Sequence, residues 1–160
     1  MRNLHTNEDG LTQRYGKQWS TNNLARKPST AGSLKEIVLD FSYDWLAAYD
    51  EGDGPTDSMD RFGGAQAFIP EGAHIAAVFV IGRETFDEDV VVGLYEKDGT
   101  VLDADGLVEA TSFAAGTSYE GGGALVGTVA TEDSYIVVDA AVAADAPTEG
   151  EARLIVKDFD

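Results

Sequence analysis

Reaction chemistry needs titratable or nucleophilic side chains with partners in reach, and this sequence supplies few. It holds two histidines, His5 and His74, and no cysteine. His5 lies in a polar N-terminal stretch, whereas His74 opens a run rich in Val, Ile and Phe, so the two share no element. As a half-buried, hydrogen-bonded strand residue, His74 needs neither a metal nor a catalytic task. The lack of Cys removes disulfides and thiolate metal sites. A nucleophilic serine needs an activating base and an oxyanion hole, and no Gly-x-Ser-x-Gly elbow is present. Gly121-Gly122-Gly123 lacks the Gly-Lys-Ser/Thr that completes a phosphate loop, and a dinucleotide fingerprint would need a βαβ unit. The residues argue against an enzyme.

The carboxylates offer a second chemistry. Asp103-Ala104-Asp105-Gly106 matches part of a Ca²⁺ loop, in which alternating acids reach one ion, but the third acid, the closing Glu and the flanking helices are missing. Asp103 and Asp105 are therefore weak Ca²⁺ candidates. Asp50, Asp53, Asp57 and Asp60 could line a looser site, although such clusters also arise on turns by chance in a chain with 29 acids. No cofactor is implied. Aromatic stacking on sugars is a third option, through Trp19, Trp45, Tyr43, Tyr49 and Tyr119. Strand alternation turns Tyr43 inward, however, and Trp19 belongs to the N-terminal stretch, so packing and docking roles fit them better.

Charge is divided unevenly along the chain. Residues 1–35 hold six of the eleven bases (Arg2, Arg14, Lys17, Arg26, Lys27, Lys35) and two acids, a net +4, which leaves −22 on the rest. An acidic body argues against nucleic acid, because phosphate contacts need clustered Lys and Arg. The bases of the lead are spaced singly among Asn, Thr, Gln and Ser. No apolar run approaches the ~20 residues that span a bilayer, and the first residues lack the apolar stretch of a secretory signal.

The elements follow from pattern. Residues 1–34 show no sustained period, yet Leu4, Leu11, Tyr15, Trp19 and Leu24 are scattered through them, and tails without a partner usually lack such anchors. With Arg14, Lys17, Arg26 and Lys27 they describe an extended arm that docks on a protein surface. A body then spans 35–160. Ile37, Leu39, Phe41 and Tyr43 alternate as one apolar face of a strand. Asp44 to Tyr49 either prolongs it or makes a helical turn, and 50–57 reads as an acidic loop. Further strands are expected at 66–69, 73–81, 90–96, 101–102, 107–113, 124–130, 135–143 and 152–157, separated by turns such as Pro70-Glu71-Gly72 and Asp98-Gly99. About eight short strands without helices predict an all-β antiparallel sandwich or jelly roll.

Three stretches carry a resemblance. Phe68-Ile69-Pro70-Glu71-Gly72-Ala73-His74-Ile75 leads into a central strand. Val90 to Thr100 continues through Asp103-Ala104-Asp105-Gly106-Leu107. Ala146-Pro147-Thr148-Glu149-Gly150-Glu151-Ala152-Arg153-Leu154-Ile155-Val156 closes the chain. In texture these resemble the β-sandwich head-decoration or cement proteins of tailed bacteriophages, as do Asp9-Gly10-Leu11 and Tyr15-Gly16 in the arm. The resemblance implies a non-enzymatic virion protein on the capsid exterior, made in the host cytoplasm. It also implies binding to the major capsid protein and to sister subunits through arm and sandwich edges, as a homo-oligomer of trimeric type. The alternative expectation is a sugar-binding sandwich module or a tail- or fibre-associated component.

Overall fold

In this computed structural model the described residues are 4–6, 12–14, 34–46 and 67–159. Strands β1 (Leu4–Thr6) and β2 (Thr12–Arg14) form a separate antiparallel ladder, with Leu4 opposite Arg14 and Thr6 opposite Thr12. In the body, β3 (Leu34–Ser42) follows its alternation: Ile37, Leu39 and Phe41 are buried while Glu36, Val38 and Asp40 face out. It ends in a 3₁₀ turn at Tyr43–Trp45, so the described part of the 44–49 stretch makes a helical turn and does not prolong the strand, while 47–49 lie outside the described residues. Seven strands follow: β4 (Phe68–Ile69), β5 (His74–Glu84), β6 (Val90–Tyr95), β7 (Val101–Thr111), β8 (Ser118–Glu120), β9 (Ser134–Ala140) and β10 (Glu151–Phe159).

These eight strands make two four-stranded antiparallel sheets, ordered β3-β10-β5-β8 and β4-β9-β6-β7. The pairing is nested: β3 with β10, β4 with β9, β5 with β8, and β6 with β7. One long hairpin has thus been rolled up so that its paired segments fall alternately in the two sheets. That is the jelly roll, which leaves few bare edges. The core between the sheets holds Phe41, Phe86 and Phe113, with ring centroids 5.7 to 6.4 Å apart, and Tyr119 packs edge-on to Phe113 at 5.2 Å.

Three expectations are corrected. The runs 101–102 and 107–113 belong to a single strand, β7. Its ladder with β6 steps from Val92↔Val108 to Leu94↔Asp103, so β7 bulges between these pairs. The bulge presses on Gly93, where an added Cβ would lie 2.1 Å from the Asp103 carbonyl oxygen. Residues 124–130 form turns, because Gly127 takes φ 83° and breaks the extended run. They still bond to the start of β5, through Ile75 N–H to Thr128 O at 2.9 Å and Ala130 N–H to Ala73 O at 2.8 Å. The short edge strand β8 carries no alternation long enough to predict it.

Lys35 changes the charge division. It is 4% exposed and lies 3.8 Å from Asp158, which is fully buried, and the two residues are register partners on β3 and β10. It lies in the body's interior, at the start of the expected body, and its charge is counted there. The arm, 1–34, is then +3 and the body −21.

Candidate functional site

His74 is an anchoring residue. Its Nδ1 lies 3.1 Å from the Thr128 carbonyl oxygen, which can only accept, so Nδ1 carries the proton. The ring also stacks on Phe159, with centroids 6.2 Å apart. It ties the 124–130 turns to β5, as a structural histidine would.

The outward face of the first sheet is built in rows set by register. Across β3, β10 and β5 one row reads Val38, Ile155, Phe79. The row on one side holds Asp40, Arg153 and Ile81, and that on the other Glu36, Lys157 and Ala77. Val38 is 46% exposed and Ile81 38%, and Phe79 and Ile155 are half-buried. An apolar stripe therefore lies open between two charged rows. The charges are matched within the face. Arg153 grips Asp40 with a bidentate fork at 2.8 and 2.9 Å, and Arg83 reaches Glu151 at 3.3 Å. Lys157 lies 3.8 Å from Glu36 and 5.7 Å from the Phe79 ring centroid. The hydrogen bond from Arg153, with its charge, holds the Asp40 carboxyl below its usual range. An apolar strip inside a self-neutralised rim is what a protein contact surface looks like. The signal was in the sequence: Val38 and Ile155 are apolar at outward positions of otherwise alternating strands.

The second sheet presents a different outward face. Tyr95 and Val137, which point away from the inter-sheet core, are 2% and 0% exposed and pack with Tyr135. Burial, and then the nearby Asp139 carboxylate, push the Tyr95 hydroxyl up to about 12.

A cleft of about 340 Å³ opens at the end of the sandwich where β5 begins and β6 ends. Leu94, Leu102 and Leu125 make its apolar lining, and Asp103, Glu132 and Thr128 its polar one. Asp103 and Asp105, the weak Ca²⁺ candidates, lie on the bulged part of β7 and not in a helix-flanked loop. Burial and a hydrogen bond with the Asp105 carboxyl hold Asp103 above the usual carboxylate range. Among the described residues no three His, Cys, Asp or Glu side chains converge as a metal site. Asp50, Asp53, Asp57 and Asp60 lie outside the described residues.

Of the aromatics weighed for sugar stacking, Tyr43, Trp45 and Tyr119 pack partly buried against the core. The Tyr119 hydroxyl also accepts the Ala114 N–H at 2.9 Å. Trp19 and Tyr49 lie outside the described residues. Of the arm residues, Leu4 and Arg14 are placed opposite each other in the β1–β2 ladder. Leu11, Tyr15, Lys17, Trp19, Leu24, Arg26 and Lys27 lie outside the described residues.

Among the described residues, fold and surface define a jelly roll of two four-stranded sheets with an open apolar stripe on one face and a cleft lined in part by acids at one end. No family model and no curated protein matches the sequence. Among solved structures the chain is similar to a chain of the capsid asymmetric unit of the cyanophage Pam1. The identity is 13%, the match covers 88% of this chain and 94% of that one, and the TM-score is 0.44.

Proposed function

We propose that this protein is a non-enzymatic structural component of a tailed-phage virion that decorates or cements the capsid from outside. It would bind the major capsid protein and sister subunits through its arm and its sandwich surface. Jelly rolls serve capsids, lectins and other binding proteins alike, so the fold does not decide the matter. The observation that carries the reading is the division of charge: a +3 arm with apolar anchors on a −21 body. Opposite charges on two parts of one chain guide repeated contacts between copies or with an acidic shell. The Val38–Ile155–Phe79 stripe adds a body surface suited to a neighbour. Trimeric assembly at capsomer junctions belongs to the same proposal.

The test is co-sedimentation with undecorated shells, using the whole protein and copies lacking residues 1–34. Saturable binding by the whole protein that is lost on truncation supports the reading. Equal binding by both, or binding by neither, refutes it.

A further inference from the structure

We infer that the open edge of β3 pairs with β3 of a second copy, antiparallel across a two-fold axis at Leu39, so that two first sheets join into one. This deepens the sister contact of the proposed function and rests on that reading, and its tests need no shell. The contact is two-fold and separate from any three-fold one.

A sheet edge offers unpaired N–H and C=O groups, and proteins usually blunt it by shortness or by bulges. Three of the four edges are blunted in this way. β4 has two residues and β8 three, and β7 repeatedly shifts its register along β6. β3 is different. It runs for nine residues and keeps one unshifted register with β10, from Leu34↔Phe159 to Ser42↔Glu151. It stands last in its sheet, with no strand beyond it among the described residues.

The ladder fixes which groups are open. Tyr43 N–H donates to the Gly150 carbonyl at 3.0 Å, in line with the β3–β10 register. Antiparallel pairs alternate between bonded and non-bonded, so Ile37, Leu39 and Phe41 turn their N–H and C=O groups to β10. Glu36, Val38 and Asp40 turn theirs to the open edge. Among the described residues these groups meet no backbone partner.

Charge selects the register. A copy of β3 laid along this edge must pair even-numbered residues with even-numbered ones for the open groups to bond. Centred on Glu36, Val38 or Asp40, the contact sets acid opposite acid, which destabilises it. Centred on Ile37, it sets the buried charge of Lys35 opposite Leu39 of the second copy. Centred on Leu39, it sets Val38 opposite Asp40 and Glu36 opposite Ser42. The buried row Ile37, Leu39 and Phe41 then runs on from one copy into the next, Leu39 on Leu39 and Ile37 on Phe41. The exposed Val38 of each copy becomes a diagonal neighbour of the other's, so the two apolar stripes meet. Every position of the contact is answered from β3 itself, which favours a second copy over a foreign strand.

The chain has no cysteine of its own, so new thiols report the register. Whole chains carrying Glu36→Cys and whole chains carrying Ser42→Cys are exposed to mild oxidant, alone and mixed. Opposite residues of the proposed pair lie about 5.5 Å apart, within disulfide reach. Two copies of position 36, or of position 42, lie about 20 Å apart, six residues along the strand. The mixture should therefore give a disulfide-linked heterodimer, and neither chain alone should give a homodimer. Homodimers formed as fast as the heterodimer, or no link in the mixture, overturn the inference.

Amide hydrogen exchange in the unaltered chain is the second measurement. The N–H groups of Ile37, Leu39 and Phe41 should be protected at every concentration. Those of Glu36, Val38 and Asp40 should exchange freely in dilute protein and about tenfold more slowly when it is concentrated. Protection of all six at any dilution would give this edge to the chain itself, and protection only on adding shells would give it to the shell. Either result, or free exchange of the three at every concentration, overturns the inference whatever the co-sedimentation assay returns.

Discussion

Replacing Lys35 by methionine keeps most of the side-chain volume and removes one charge from a pair shut inside the sandwich. Lys35 is 4% exposed and Asp158 0%, at 3.8 Å. At an effective dielectric constant of ~20, that separation corresponds to about 4 kcal/mol of attraction. The loss agrees with the ~3–5 kcal/mol that follows when one partner of a buried ion pair is removed. In a domain of this size about 4 kcal/mol lowers Tm by roughly 8–16 °C. The double change Lys35→Met, Asp158→Leu removes both charges and should return stability to within about 1 kcal/mol of the parent, or above it. Urea unfolding of the three proteins, with the slopes compared, measures this directly. A single variant within ~1 kcal/mol of the parent, or a double as unstable as the single, would show that the pair does not hold β3 to β10 as argued.

Gly93→Ala should cost about 3 kcal/mol, because the atoms in its way are the backbone of the β7 bulge and cannot swing aside; an unchanged urea midpoint would contradict this. Asp40→Asn should lower Tm at neutral pH. The folded-state pKa of Asp40 is depressed by Arg153, so its stabilisation is present above the ordinary carboxylate pKa and fades as pH falls through the depressed value. The Tm curves of parent and variant should therefore converge in acid, and a constant gap would refute the pairing. Val38→Lys puts a charge on an exposed stripe, should change stability by no more than about 0.5 kcal/mol, and should still weaken co-sedimentation with shells; undiminished binding removes the stripe from the interface. Arm-dependent shell binding should fall as salt rises from about 0.05 to 0.5 M, since exposed charges beyond a Debye length are screened; salt-independent binding argues against electrostatic guidance.

Much of the jelly roll was legible because each long strand buries one face. Ile37-Leu39-Phe41 and Ala152-Leu154-Val156 alternate without interruption, and both strands lie where the pattern puts them. What escaped was irregular. The β7 bulge joins Val101 to Leu107 through Asp103-Ala104-Asp105-Gly106, a string that reads as a loop because its composition is that of a turn. Its strand character comes from pairing with β6, which is tertiary. Residues 124–130 looked extended by their Ala, Leu and Val content, yet Gly127 at positive φ folds them into turns. Lys35, the first residue of the expected body, was counted with the bases of the lead, because a buried lysine is recognisable only once Asp158, 123 residues on, is seen across the ladder. The open stripe was partly legible, in Val38 and Ile155, and its third member Phe79 was hidden within an apolar run.

If the protein attaches to a shell as proposed, its stripe and its arm have different tasks. On the first sheet's outward face the cations already answer carboxylates of the same face, so a neighbour seated there would gain little from its charges and would be held by the stripe between them. Long-range attraction would then come from the arm, at +3 against −21. On the proposed function the two surfaces would divide the work of association. Charge on the arm would set how fast copies or shell are found, and the apolar stripe would set how long contact lasts. Neutralising Arg14 and Lys17 together should therefore slow association with little effect on dissociation, whereas Val38→Lys should speed dissociation and leave the on-rate nearly unchanged. Surface-plasmon kinetics on immobilised shells separates the two, and a reversal of this assignment would place the guiding charge on the body.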